Sequence, residues 1–106
     1  MSTTPVVSSG RWACVTAGEY DERARQVVVN EAVVDVVARE IGQAPELVRA
    51  AIVAHEIAHA TAPPGMTRED EERRARGAAV AAAGRGVVDA IDRTLIMGWH
   101  GDCSRS

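Results

Sequence analysis

The stretch "PELVRAAIVAHEIAHATAPPG", residues 45–65, decides the fold that the sequence predicts. Pro45 suits the first turn of a helix, because the amide proton that proline lacks has no partner there, and Glu46 favours the positive end of the helix dipole. The Pro-Pro-Gly sequence at residues 63–65 cannot continue a helix and favours a tight turn. We therefore predict a helix that begins at Pro45 and ends before this turn, with two histidines in its second half.

His55 and His59 are four residues apart on this predicted helix, so their side chains lie on one face. Two neutral imidazoles at this spacing can chelate one zinc ion, at ~2.0–2.1 Å each. Glu56 flanks the same face and can reach a water molecule on the zinc without being a ligand. Because zinc lowers the pKa of such a water to about 7, Glu56 can act as its general base. The pattern His-Glu-x-x-His is typical of zinc metallopeptidases. The alternative to a metal site is an ordinary amphipathic helix with two half-exposed histidines.

A catalytic zinc site needs a third protein ligand. The candidates downstream of the helix are Asp70, Glu71, Glu72 and His100. The next predicted helix carries a face of small residues, Ala75, Ala79 and Ala82, which allows close approach of the zinc helix. At ~100° per residue, Glu71 and Glu72 flank this face on either side, whereas the acidic residues before them point away. Helix geometry therefore leaves Glu71 and Glu72 as alternatives.

The second half of the chain is predicted to be helical. Thr67 is placed to cap the helix that follows the turn, and the acidic residues 69–72 favour its first turn. The Gly-Arg-Gly sequence at residues 84–86 should break that helix. A last amphipathic helix is predicted over residues 87–97, because its apolar residues recur at helical spacing.

The first half of the chain indicates a small sheet. Residues 11–17 could form a short strand, and residues 25–30, "RQVVVN", are a β-branched run typical of a strand. Residues 31–42 have apolar residues at helical spacing and end at Gly42, a typical helix stop. The alternative is one long helix over residues 19–41, since a valine-rich run does not separate strand from helix by periodicity.

Length and composition predict one folded domain. The chain has 106 residues, of which 46% are hydrophobic and 25% are charged, so we expect a single domain over residues 1–106. The Ser- and Thr-rich residues 1–10 and the tail at residues 99–106 are expected to be flexible.

The net charge of −3 and the 3% aromatic content give no support to nucleic-acid binding. Charged residues interrupt the alanine-rich stretch 78–97, so no membrane span is predicted. A cytoplasmic location is therefore expected.

Four further side chains could affect a zinc site. In a reducing compartment Cys14 and Cys103 are expected to be free thiols, and a disulfide between them is the alternative. Either thiolate could occupy the open position on the zinc and silence the site. His100 or Tyr20 could stabilise an oxyanion, although an exposed side chain without a catalytic role is the simpler interpretation of each.

Three segments, "VVVNEAVVDVV", "PELVRAAIVAHEIAHA" and "EERRARGAA", resemble the gluzincin metallopeptidases. The resemblance is nearest to the minigluzincin and CAAX-peptidase-like branches and to the phage ImmA-like peptidases, and it spans residues 27–79. In that group a Glu within an E-x-x-A-[DN] pattern supplies the third zinc ligand. The resemblance therefore favours Glu72, which precedes Ala75 at this spacing. Arg76 stands where the family has an acidic or amide residue, so the chain departs from the family there.

The resemblance implies a minimal α+β zincin-like domain, with a small N-terminal sheet beside the zinc helix and its backing helices; an all-α fold is the alternative. It also implies a zinc-dependent metallopeptidase that hydrolyses peptide bonds in a peptide or protein substrate. Zinc would be bound by His55, His59 and Glu72, with Glu56 as the catalytic base. The alternative is a non-catalytic zinc-binding domain or a helical interaction module with a regulatory role, which the small size of the chain favours. The sequence indicates neither the substrate preference nor the oligomeric state.

Overall fold

A computed structural model describes residues 6–10, 18–21 and 26–94, with the side chains of residues 6–7 and 26–94. The described elements, in chain order, are β1 (Val6–Gly10), β2 (Gly18–Asp21), β3 (Gln26–Asn30), α1 (Glu31–Ile41), α2 (Pro45–Ala60), α3 (Arg68–Ala83) and α4 (Arg85–Thr94). The described part of the chain is therefore mostly helical with one small sheet, which agrees with the predicted α+β class.

β3 is the central strand of the sheet, with β1 parallel to it on one side and β2 antiparallel on the other. Val27 and Val29 of β3 are fully buried, as suits β-branched residues in a central strand. The strand predicted over residues 25–30 is therefore confirmed. Residues 19–41 do not form one helix, because β3 precedes α1 as a separate element.

The two edge strands differ from the prediction. β1 lies within residues 1–10, which were expected to be flexible, and it pairs with β3 from Val6 opposite Gln26 to Gly10 opposite Asn30. Its Ser- and Gly-containing sequence gives little local signal, so main-chain pairing with β3 explains the strand better than its own composition. The strand predicted over residues 11–17 lies outside the described residues.

Helix ends follow local capping chemistry. The buried Asn30 caps α1, because its side chain accepts a hydrogen bond from the amide of Ala32 at 3.2 Å. α1 ends at Gly42, whose φ of 67° suits a glycine. Thr67 caps α3 as predicted, since its hydroxyl accepts from the amide of Asp70 at 3.1 Å.

The break between the last two helices is shorter than predicted. Gly84, with φ 93°, ends α3, and α4 begins at once at Arg85. The break is therefore one residue rather than residues 84–86, and the last helix starts before the predicted residue 87. Its predicted end at residue 97 lies outside the described residues. Within the described ranges, no helix combines the length and the apolar character that crossing a bilayer requires.

One core joins β3 to all four helices. Its members are small and aliphatic, as expected for a chain without Phe. The fully buried residues of this core include Val27, Val29, Val34, Val48, Ala51, Ile52, Ala79, Val88 and Ile91. Arg49 of α2 forms an ion pair with Glu31 of α1 near the surface. Two nitrogens of the guanidinium contact the carboxylate, and the shortest contact is 2.6 Å. This ion pair links the first two helices. The C-terminal half of α2, which carries the histidines, is thus supported from several sides.

Candidate metal centre

The two histidines extend the buried stripe of α2. This stripe runs from Val48 and Ile52 to His55, which is 5% exposed. His59 follows one turn later, and the two imidazole rings lie 4.8 Å apart between centroids with an angle of 71° between their planes. The spacing of four residues therefore brings both rings to one face of the helix, as the sequence predicted.

The turn at residues 63–65 folds α3 back along α2. Ala75 and Ala79 are fully buried, and such small side chains let two helices approach closely. Arg74 then fastens the hairpin, because its guanidinium donates a hydrogen bond to the carbonyl oxygen of Ala58 at 2.7 Å. Ala82 is exposed, so the predicted face of small residues is buried only over its first part.

Glu72 lies opposite both imidazoles. Its Oε1 is 3.4 Å from Nε2 of His59 and its Oε2 is 3.8 Å from Nε2 of His55. One donor atom from each of these three residues lies within 4.8 Å of the other two. The chain therefore brings together the three side chains that the family resemblance favours as metal ligands.

The donor set and its spacing fit a zinc ion. Two imidazoles and one carboxylate form the ligand set of a catalytic zinc site, and two donors on one tetrahedral zinc are ~3.4 Å apart. The separations of 3.4 and 3.8 Å to Glu72 are close to that value and are longer than usual hydrogen bonds. Small side-chain rotations would close the remaining gap within the 4.8 Å cluster.

Glu71 contacts the other nitrogen of the second histidine. Its Oε1 is 2.8 Å from Nδ1 of His59. An ionised carboxylate only accepts hydrogen bonds, so Nδ1 donates to Glu71, and Nε2 is the nitrogen on the side of Glu72. Of the two alternatives for the third ligand, Glu72 belongs to the three-residue group, whereas Glu71 contacts the opposite side of the His59 ring.

Glu56 is the most buried polar side chain of the centre. It is 1% exposed, and its Oε1 lies 3.6 Å from Nδ1 of His55. It is not part of the three-residue metal cluster, which agrees with its expected place beside the ligands. Its contact with His55 is on the Nδ1 side of the ring, whereas Glu72 faces Nε2.

A cavity of about 400 Å³ opens beside the cluster. Its wall is formed by His55, Glu72, Arg73, Arg76, Val88 and Asp92. This volume falls in the range of small-molecule and short-peptide sites. Of the three candidate metal ligands, Glu72 is the most open to solvent, with 45% of its side chain exposed.

Arg76, the departure from the family pattern, ties α3 to α4 at the edge of this cavity. Its guanidinium donates to Asp92 and Asp89. The hydrogen bond to Asp92 is the main reason that the pKa of Arg76 is raised further above its ordinary value, and both carboxylates add to the effect. No local pattern predicts this contact, because Arg76 lies on α3 and both aspartates lie on α4.

Four of the remaining sequence candidates lie outside the described side chains, and the fifth lies within them. Tyr20 belongs to β2, of which only the backbone is described, and Cys14, His100 and Cys103 fall outside the described residues. Asp70, a further candidate ligand, is exposed and pairs with Arg73 at 3.0 Å.

Scans of this chain against protein-family models, curated proteins and solved structures give no match.

Proposed function

We propose that the chain is a zinc-dependent metallopeptidase of the gluzincin type, which hydrolyses peptide bonds. The observation that carries this proposal is the convergence of His55, His59 and Glu72, whose donor atoms lie within 4.8 Å of one another. Glu56, the neighbour of the first histidine, would supply the carboxylate base that hydrolysis needs. The His-Glu-x-x-His pattern and the nearby cavity support the same assignment.

Each side chain of the centre has a separate task. A bound zinc ion would supply Lewis acidity, which lowers the pKa of the attacking water to about 7, far below that of bulk water. His55, His59 and Glu72 would hold the ion, and Glu71 would keep Nε2 of His59 turned toward Glu72 through its 2.8 Å contact with Nδ1. Glu56 accepts a proton from the attacking water and returns it to the leaving amine, so that its charge is restored at the end of the cycle.

The sheet supports a zincin-like arrangement of the domain. β2 is an edge strand and packs against α2, which carries the histidines. An edge strand has unpaired main-chain groups that can bind an extended peptide by strand addition. We infer that a substrate peptide pairs with this edge.

Metal content and peptide hydrolysis test the proposal together. Purified protein should contain about one zinc ion per chain, because the donor set is that of a catalytic zinc site. At equal zinc occupancy, Glu56→Gln should cleave a peptide library ~10²–10⁴-fold more slowly than the wild type. Glu40→Gln is the matched control, since Glu40 is an exposed residue of α1 and its loss should leave cleavage unchanged. Equal cleavage by Glu56→Gln and wild type would refute the assigned base.

A non-catalytic metal-binding domain is the second candidate. The burial of Glu56 favours it, because a carboxylate that is 1% exposed is less accessible to an attacking water than Glu72 is. In this case the protein binds zinc and is stabilised by it, but neither wild type nor Glu56→Gln cleaves any peptide of the library.

A further inference from the structure

A second cavity adjoins the one beside the metal cluster. It has a volume of about 310 Å³. Its wall is formed by Arg73, Arg76, Gly77, Val80, Arg85 and Asp89. Arg73 and Arg76 also form part of the wall of the first cavity. The two cavities therefore share a boundary, and together they run from the candidate metal ligands along α3 to the start of α4.

Arginine side chains make up half of the residues in the wall of the second cavity, although the whole chain carries a net charge of −3. Three guanidinium groups and one carboxylate lie in its wall. Arg76 already has two carboxylate partners, Asp89 and Asp92. The positive charge that a ligand could use must therefore come from the other two arginines.

Arg73 and Arg85 are available for such a ligand. Arg73 is 70% exposed, and its contacts with Asp70 and Glu69, at 3.0 and 3.5 Å, involve side chains that are also mostly exposed. Exposed pairs of this kind contribute only ~0–1 kcal/mol, so a ligand can displace them. Arg85 is exposed, and its side chain makes no ion pair or hydrogen bond with another residue of the described ranges.

We propose that the two cavities form one substrate groove, in which Arg73 and Arg85 bind a carboxylate of the substrate peptide. A guanidinium presents a planar fork of donors that matches the two oxygens of a carboxylate. The preferred substrates are thus peptides with a carboxylate on the α3–α4 side of the scissile bond. This proposal rests on the peptidase function, because a peptide that reaches the metal cluster can extend into the adjoining cavity.

Gly77 is consistent with a groove that must stay open. It lies in the wall of the second cavity, and a Cβ atom added at this position would meet no other atom within 4 Å. The space directly beside Gly77 is therefore free, so we expect a larger side chain there to project into the groove without disturbing the packing of α3.

Peptide binding to the zinc-loaded Glu56→Gln protein tests the carboxylate site apart from turnover. Three fluorescein-labelled peptides of one length are compared. The first is amidated and has a Gln at one position, the second is amidated and has a Glu there, and the third is the Gln peptide with a free C-terminus. A charged hydrogen bond should make one of the carboxylate peptides bind about tenfold more tightly than the neutral peptide. Preference for the second assigns the site to an acidic side chain, and preference for the third assigns it to the chain terminus.

Three further variants decide whether the preference comes from the groove. Combined Arg73→Gln and Arg85→Gln should reduce it to less than about twofold, because both available cations are removed. Arg93→Gln removes one exposed arginine of α4 that is outside the groove, and it should retain the full preference. Gly77→Leu should weaken binding of the carboxylate peptides without lowering the melting temperature.

Failure of this proposal can be distinguished from failure of the peptidase function. Equal binding of all three peptides, or a preference that survives in the double arginine variant, overturns the carboxylate site. Cleavage by the wild type without any preference for carboxylate peptides overturns the site and leaves the peptidase function standing. An arginine-dependent preference in a protein that cleaves nothing supports the site and overturns the peptidase function.

Discussion

Glu71 and Glu72 are neighbours in the sequence, yet their carboxylates meet different nitrogens of His59. Glu71 lies 2.8 Å from Nδ1, and Glu72 lies 3.4 Å from Nε2. Only the second also faces His55. Two adjacent acidic residues can therefore serve one metal in two ways, one as a ligand and one as the hydrogen-bond partner of a ligand.

The two glutamates should differ in their effect on zinc affinity. Glu72→Ala would remove a proposed ligand, whereas Glu71→Ala would remove only the support of His59, which is typically worth ~10–100-fold in metal affinity. We expect the larger loss for Glu72→Ala in a competition titration with a zinc chelator. Glu69→Ala, at an exposed position of the same helix, is the control. A larger loss for Glu71→Ala would reverse the two assignments.

At the scale of the helices, the α2–α3 hairpin sets the geometry of the centre. The chain turns at Gly65, with φ 86°, and the buried Ala75 and Ala79 let α3 lie close to α2. Arg74 fixes the pair through the carbonyl of Ala58. Together, these contacts hold Glu72 near the two imidazoles.

Ala79→Leu should therefore disturb both stability and metal binding. A larger side chain at this fully buried site must push the helices apart or adopt a strained rotamer, at a cost of about 1–3 kcal/mol in the free energy of unfolding. Urea denaturation measures that loss, and the same chelator titration measures the weaker zinc binding. Ala82→Leu is the matched control, because Ala82 is exposed and surface changes usually stay within about 0.5 kcal/mol. Equal stability of the two variants would contradict the assigned packing.

Local signals were sufficient for the first three helices, but not for the start of α4, the sheet edges or the choice between the two glutamates. The end of α1 at Gly42 and the N-terminal cap of α3 at Thr67 depend on single residues, so the sequence predicted them correctly. β1 owes its structure to pairing with β3, a contact that no local pattern encodes. The roles of Glu71 and Glu72 depend on how α3 rotates about its axis when it packs on α2, which the sequence left undecided.

For the whole molecule, zinc should act as a stabilising ligand. A domain of 106 residues has a small core and often gains from a metal. At a free zinc concentration of 100 times Kd, binding adds about 2.7 kcal/mol to the free energy of unfolding, a rise of roughly 10 °C in Tm. Thermal unfolding followed by circular dichroism, with zinc and after chelation, measures this shift. His55→Ala should abolish it, and an unchanged Tm in the wild type would refute the metal site.

The α2–α3 hairpin also has a consequence for the order of folding. All three candidate ligands lie within residues 55–72, so the loop that the metal closes is short. Loops of about ten residues close in ~10–100 ns, well before distant strands meet. A zinc ion that binds the hairpin while β1 is still apart from β3 would make the hairpin a folding nucleus. Interactions already present in the transition state raise the folding rate, so zinc should speed refolding more than it slows unfolding.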